Sequence, residues 1–193
     1  MKTFRSSILA GICISIGGTA YLTSPDILGA ILFTFGLLTV VHYKFALYTG
    51  TVGFVKTKQD AFRTLLTLLG NIIGCIMTGL AIRYSKPDLI PVAQHITEVR
   101  TSGSIIGLLI LSMGCGFVMT TIVKFAREGK FIPLLFGIPI FITCGFIHSI
   151  ADAFYYSTAM IPSVQLLMSY GIIVIGNLVG CNLTRLIIWD KDI

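Results

Sequence analysis

Six long apolar stretches fill most of this chain, and they restrict its fold more than any other feature. A helix needs roughly 20 apolar residues to cross the hydrocarbon layer of a membrane. Only 11% of the 193 residues are charged, whereas a water-soluble domain has about 25%. The sequence therefore predicts one all-α integral membrane domain over 1–193, with transmembrane helices at about 7–23, 26–44, 62–83, 103–123, 131–157 and 163–188.

Basic residues predict the orientation of these helices. With the N-terminus inside, the inner segments hold eleven lysines and arginines, including Lys191, and the outer segments hold three, Arg83, Lys86 and Arg100. Positive residues are enriched on the cytoplasmic side of membrane proteins. Both termini are therefore expected in the cytoplasm, with Trp189 at the inner membrane interface. The net charge of +6 is explained by topology, so no nucleic-acid partner is expected.

A secretory signal peptide is the competing interpretation of the N-terminus. Lys2 and Arg5 precede the apolar run Ile8–Ile16 and the small residues Gly18-Thr19-Ala20, an order typical of such peptides. Removing this segment would leave five spans and would destroy the internal duplication described next.

The chain contains an internal repeat. Gly70-Asn71-Ile72-Ile73-Gly74-Cys75 in the third span recurs as Gly176-Asn177-Leu178-Val179-Gly180-Cys181 in the sixth. Each copy thus ends one three-span half, approximately 1–85 and 100–193. Because three is an odd number of crossings, the halves are expected to be inverted repeats, with a substrate path near the membrane midplane.

The two asparagines of this repeat are unusual in an apolar helix. The flanking glycines alone would be explained as a G-x-x-x-G packing ridge. An unpaired amide in hydrocarbon costs kilocalories, so Asn71 and Asn177 are interpreted as pinning a broken helix, as lining the path, or as doing both.

The second and fifth spans are predicted to be broken helices. After Lys44 the second span continues only to Val55, which is too short for another crossing. The fifth span is interrupted at Cys144–Ser149, where His148 and Ser149 follow a glycine. Such backbone is tolerated at membrane depth only against protein or a water-filled cavity, and half-helix ends there favour an anion.

His148 is the ionisable residue that most suggests a pathway, because such residues are rare inside a bilayer. The alternative is a neutral core histidine satisfied by a backbone carbonyl. Asp152 lies four residues on, on the same helical face. It could orient His148, favour its charged form, or anchor the second half-helix. The loops between spans are short, and 84–102 is interpreted as an outer loop.

Four motifs together resemble one known family. They are the glycine-rich Gly11–Gly18, Leu47-Tyr48-Thr49, the stretch Gly145–Asp152 (Gly-Phe-Ile-His-Ser-Ile-Ala-Asp) and the two Gly-Asn-x-x-Gly copies. On these motifs nearly the whole chain is similar to the formate/nitrite transporter family. The resemblance implies an aquaporin-like fold with six helices per protomer, assembled as a homopentamer in which each protomer has its own pore.

The resemblance also implies roles for individual residues. His148 corresponds to the central histidine of the family and Thr49 to its loop threonine, with Ser149, Asn71 and Asn177 along the substrate pathway. Two apolar constrictions are implied, an outer one formed by Phe33 and Phe141 and an inner one formed by Leu37, Leu47 and Tyr48.

This sequence departs from the family pattern at three places. Ile147 stands where the family commonly has Glu before the histidine. Arg100 is the loosely aligned outer basic residue, and Gly116 is nearest to an asparagine expected in the fourth span. Selectivity and proton coupling are therefore expected to differ from those of better-known members.

The function expected from these observations is transport of small monovalent anions such as formate, nitrite or hydrosulfide, with proton coupling through His148, across the inner membrane of a bacterium. A neutral-solute channel of the aquaporin type is the main alternative, although the paired Asn-Pro-Ala signature is missing. An enzyme is not expected, since Asp152 and His148 make a thin catalytic site. The five cysteines form no Cys-x-x-Cys pair, so neither a metal nor a cofactor is expected.

Overall fold

The computed structural model describes residues 2–188, and every regular element within them is helical. The prediction of an all-α protein is thus confirmed for this part of the chain. Trp189 and Lys191 lie outside the described residues. The α-helices are α1 (Lys2–Thr23), α2 (Ile27–His42), α3 (Lys58–Ser85), α4 (Ile90–Ser102), α5 (Ile105–Arg127), α6 (Ile132–Thr143), α7 (Ser149–Ala159) and α8 (Val164–Ile188).

Four of these helices, α1, α3, α5 and α8, are long and apolar enough to cross a membrane. The apolar helices α2 and α6 have only 16 and 12 residues. A helix rises about 1.5 Å per residue and the hydrocarbon layer is about 30 Å thick, so neither crosses it alone. After α2 comes a non-helical segment, residues 43–51, here called the first break. After α6 comes the second break, residues 144–148.

The long helices pack in two pairs, α1 against α3 and α5 against α8. The repeated glycines make both contacts possible. A Cβ on Gly74 would collide with the carbonyl oxygen of Ile8, and one on Gly180 would collide with that of Met113. Small residues at these positions let the backbones touch, which is how apolar helices gain packing energy in lipid.

The helix α7 is the most deeply buried element, since all 11 of its residues are buried. It packs against α3 and α4. Arg83 donates from Nη1 to the carbonyl oxygens of Thr158 and Ala159, at 2.9 and 3.1 Å. These are carbonyls that the end of a helix leaves unpaired, so Arg83 closes the C-terminus of α7.

The structure corrects one expectation about the connections. Residues 84–102 are not a simple loop, because they contain a turn of 3-10 helix at Pro87–Leu89 followed by α4. Pro91 occupies the first turn of α4, where its missing N–H and fixed φ angle suit a helix start. α4 has only 13 residues and carries Gln94, His95, Glu98 and Arg100, so it is too short and too polar to resemble a membrane span.

Candidate functional site

The first break is held by the side chain of Asn71 on α3. Its Oδ1 accepts a hydrogen bond from the backbone N–H of Tyr48 at 2.8 Å. Its Nδ2 donates to the carbonyl oxygens of Ser7 and Ala46, at 2.7 and 2.9 Å. Asn71 is fully buried, and this one amide pairs the Tyr48 N–H and the Ala46 carbonyl, two groups of the break that have no partner in a helix.

The second break is held in the same way by Asn177 on α8. Its Oδ1 accepts from the backbone N–H of Ser149 at 2.9 Å. Its Nδ2 donates to the carbonyl oxygens of Ser112 and Ile147, at 2.9 and 2.8 Å. In both breaks the amide thus binds the carbonyl of one residue and the N–H of the residue two positions later. The residues enclosed between these contacts are Leu47 and His148.

The two breaks also contact each other's anchoring helices. Cys75, from the repeated motif on α3, lies with its Sγ 3.2 Å from the carbonyl oxygen of Ile150, just after the second break. Cys181, at the matching position on α8, lies with its Sγ 3.4 Å from the carbonyl oxygen of Thr49 in the first break. Each break region therefore lies against the helix that anchors the other.

His148 and Thr49 form the polar contact between the breaks. The Nε2 of His148 lies 2.9 Å from Thr49 Oγ1, and both residues are buried. The Nδ1 of His148 accepts a hydrogen bond from the backbone N–H of Ala151 at 3.1 Å. This assigns the proton of the neutral ring to Nε2, which donates to Thr49 Oγ1. The hydroxyl hydrogen of Thr49 then remains for another acceptor.

Aromatic rings cover one side of His148. The ring centroid of Phe141 lies 5.9 Å from that of His148 and 6.0 Å from that of Phe33. These three residues border a small cavity of about 70 Å³, here called the histidine cavity. Its volume suits an ion of a few atoms rather than a larger metabolite. Its wall also includes Arg100, Ala151, Asp152 and Tyr155.

Asp152 lines the histidine cavity, and its carboxylate contacts Arg100 and Tyr156. Its Oδ2 is 3.4 Å from Arg100 Nε and accepts a hydrogen bond from the Tyr156 hydroxyl at 3.3 Å. Its backbone N–H donates to the carbonyl oxygen of His148 at 2.9 Å. Of the roles expected for Asp152, these contacts favour an anchor of α7 through Arg100.

The three residues of the predicted inner constriction, Leu37, Leu47 and Tyr48, are buried in the same core as Phe33 and Phe141. The hydroxyl of Tyr48 also reaches α8, where it donates to the carbonyl oxygen of Val174 at 3.1 Å. Ser149 lies next to His148, and its Oγ is buried without a hydrogen-bond partner among the described residues.

Arg127 is a residue of the site that sequence analysis missed. Its Nη2 donates to the carbonyl oxygen of Gly50 in the first break at 2.9 Å, and its guanidinium lies 3.8 Å from the ring centroid of Phe54. It lines a second cavity, of about 230 Å³, together with Arg63 and Asp60. The only sequence signal was a basic residue at the end of α5, which is common in any helix.

The described residues contain no group of three or more histidine, cysteine or acidic side chains that could hold a metal ion. The polar chemistry of the site is therefore that of one imidazole, one hydroxyl and one arginine–aspartate pair. Such a set can stabilise a small anion and exchange a proton with it.

Comparison with known proteins gives concordant matches. The family model described as formate/nitrite transporter matches residues 1–189. A solved structure of a pentameric formate channel with formate bound is 21% identical, with a TM-score of 0.83 over 97% of this chain and 95% of that one. An ion channel of the FNT family is 19% identical, with a TM-score of 0.81 over 97% and 86%. No curated protein sequence matches the chain.

Proposed function

Because the chain belongs to the formate/nitrite transporter family, we propose that it conducts small monovalent weak-acid anions, such as formate, nitrite or hydrosulfide, across a membrane. The observation that carries this proposal is the buried contact between His148 and Thr49, which joins the two breaks. One solved relative is described as pentameric and as holding formate, so a homopentamer is proposed for this chain as well.

The proposed architecture has six transmembrane helices in two inverted halves, approximately 1–85 and 100–193, with aquaporin-like topology. In it, α2 with the first break forms the second helix, and α6 with the second break and α7 forms the fifth. The matched hydrogen bonds of Asn71 and Asn177 support equivalence of the halves. Each half contributes an odd number of crossings, which reverses its direction in the membrane.

The pore is proposed to lie in a bacterial inner membrane with both termini in the cytoplasm. The distribution of basic residues supports this orientation. On this orientation Arg100 lies at the outer end of the path and Arg127 at the inner end. A reporter fused after residue 193, active only in the cytoplasm, tests the position of the C-terminus.

The apolar residues around the site explain why a histidine is needed. A bare anion loses its hydration among Phe33, Phe141, Leu37 and Leu47, at an idealised cost of tens of kcal/mol. The hydroxyl of Thr49 accepts from His148 Nε2, which leaves its own hydrogen free to donate to an anion in the path. A weak acid that takes a proton on one side and releases it on the other crosses the apolar rings without charge.

Proton coupling then predicts the direction of the pH dependence. The neutral acid becomes more abundant as pH falls, so flux of each weak-acid anion should rise with acidification on the side of entry. Chloride, which takes up no proton in this range, should not follow the same profile.

The test is flux through purified protein in proteoliposomes. Formate, nitrite, hydrosulfide, acetate, lactate and chloride are compared at several pH values, with water and glycerol as neutral solutes. His148→Ala should abolish most weak-acid flux and its pH profile. His95→Ala changes an exposed histidine on α4 and serves as the matched control.

Two results would contradict the proposal. If His148→Ala transports weak-acid anions at the normal rate and with the normal pH profile, the histidine mechanism is wrong. If water or glycerol flux exceeds the flux of every anion, the protein is instead a neutral-solute channel.

A further inference from the structure

Arg100 and Asp152 form an ion pair in the wall of the histidine cavity. Arg100 belongs to the last turn of α4 and Asp152 to the first turn of α7. The carboxylate is 1% exposed and the arginine side chain 18% exposed, with Nε and Oδ2 3.4 Å apart. Both residues border the cavity that also contacts His148. A proposed anion at His148 therefore lies next to a positive and a negative charge together.

The geometry of this pair is loose for an arginine and a carboxylate. Paired arginines usually donate two parallel hydrogen bonds at 2.7–2.9 Å. Here Nε is buried without a properly aligned hydrogen bond among the described residues, and Tyr156 supplies a hydrogen bond to the carboxylate. The carboxylate of Asp152 is thus close enough to offset the charge of the guanidinium. The two groups make no bidentate contact, so N–H groups of Arg100 remain available to an anion.

The charge balance determines how strongly this cavity attracts an anion. Arginine stays protonated at any physiological pH, and Coulomb attraction is strong where water is excluded. An unopposed arginine would draw an anion in and would also slow its release. Conduction requires a binding site that is favourable enough to enter and weak enough to leave.

We propose that Asp152 is a positioning residue that sets how tightly the histidine cavity holds an anion. It fixes Arg100 at the cavity wall through its contact between α4 and α7, and it offsets the charge of the arginine there. The site then attracts anions from the Arg100 end without trapping them. The inference rests on the proposed function, because it concerns the passage of an anion.

The test is the concentration dependence of formate flux in proteoliposomes of stated protein content. Asp152→Asn keeps the shape of the side chain and removes its charge. The half-saturating formate concentration should fall by at least about tenfold, because unit charges a few ångströms apart interact strongly where water is largely excluded, and the maximal flux should fall with it. A change in packing alone would lower the amount of folded protein and would leave half-saturation unchanged.

Glu128→Gln is the matched control. It makes the same change of charge, but in an exposed pair with Lys130 just after the C-terminus of α5. Its half-saturation and maximal flux should stay at wild-type values. Arg100→Gln should raise half-saturation several-fold, and Arg100→Lys, which keeps the charge, should raise it less. This second pair of variants decides the question if Asp152→Asn does not assemble.

The double variant Arg100→Gln/Asp152→Asn completes the comparison. Because the net charge beside the cavity is again zero, its half-saturation should lie near the wild-type value, so the single effects are strongly non-additive. Wild-type half-saturation in Asp152→Asn, or additive effects in the double variant, would overturn the inference. Absence of anion flux through the wild-type protein would instead overturn the proposed function.

Discussion

The first break and the second break place different side chains on nearly the same backbone. Lys44 and Gly145 both have a positive φ angle, 55° and 69°. In each break an asparagine then binds the backbone on both sides of one residue, which is Leu47 in the first and His148 in the second. The shared part supplies geometry alone, and the chemistry comes from the residues that differ.

The polar contact between the breaks uses residues at positions that do not match. Thr49 lies two positions after Leu47, whereas Ile150 occupies the matching place after His148. The hydroxyl therefore comes from the first break and the imidazole from the second, and they meet at 2.9 Å. Two breaks with similar backbone can thus build one asymmetric site, because each contributes a group that the other lacks.

Replacing the two asparagines should have the largest effect on stability. It removes the contacts that give the two breaks their similar backbone. Asn71→Leu and Asn177→Leu each leave one backbone N–H and one carbonyl of a break unpaired, at about 1–3 kcal/mol per group. Both variants should lose most of the assembled protein, measured by size-exclusion chromatography and thermal unfolding in detergent.

Asn182→Ala is the control for this experiment. Asn182 also lies on α8, but it is partly exposed and bonds only to carbonyl oxygens, those of Val52 and Leu178. The Asn182→Ala substitution should lower the free energy of unfolding by less than about 1 kcal/mol, as expected for the loss of a partly exposed hydrogen bond. A stable Asn71→Leu variant beside an unstable Asn177→Leu variant would show that the two breaks do not depend equally on their amides.

His148→Leu should come next, since it gives the second break the side chain of the first. Weak-acid flux should fall at least tenfold, because the apolar path loses its only imidazole among the described residues. The thermal unfolding temperature should fall far less than in the asparagine variants, since leucine fills a volume similar to that of histidine. Leu47→Met, measured in the same proteoliposome flux assay, should keep the flux near normal. Normal formate flux through His148→Leu would remove the functional distinction between the breaks.

Thr49→Val should have a smaller effect on the same contact. Valine keeps the shape of threonine but removes the hydroxyl that meets Nε2 of His148. Loss of one neutral hydrogen bond costs about 0.5–1.5 kcal/mol, so flux should fall roughly three- to tenfold. Thr49→Ser should retain most of the flux, and Thr39→Val, at a half-buried site on α2, should retain all of it. Equal flux in Thr49→Val and Thr49→Ser would mean that the hydroxyl has no role.

The smallest expected difference concerns the left-handed residue of each break. Gly145→Ala places a side chain at a positive φ angle and should destabilise the protein by about 1 kcal/mol. Lys44→Gly removes such a side chain, which should stabilise the protein. The gain should be only on the order of a few tenths of a kcal/mol, because glycine also gives the unfolded chain more freedom. Thermal unfolding of both variants in one detergent measures the difference, and a shift of the same sign in both would contradict it.

Much of this arrangement could be predicted from sequence because repeated polar residues in apolar helices are informative. The recurrence of Gly-Asn predicted a duplicated function for Asn71 and Asn177, and the Gly-Phe-Ile-His stretch predicted the position of the second break. What sequence could not supply was the partner of each polar group. Hydrogen-bonding between Asn71 and Ser7 depends on how α1 packs on α3.

The helix α4 and the Arg100–Asp152 pair were missed for a different reason. Residues 84–102 contain two prolines and few apolar residues in succession, so neither hydropathy nor periodicity favoured a helix there. Arg100 and Asp152 are far apart in sequence, and their contact depends on the packing of α4 against α7. The same information would have been needed to find Arg127, whose partner is a backbone carbonyl.

The complete burial of α7 has a consequence for how this protein is made. At 11 residues the helix is about 16 Å long, half the thickness of the hydrocarbon layer, and it carries Asp152. It cannot insert into lipid as an independent segment. Its main neighbours, α3 and α4, precede it in the chain. The surface on which α7 packs is therefore synthesised before α7 itself. Asn177, which fixes the start of α7, emerges last, and the pore is therefore completed only when α8 arrives.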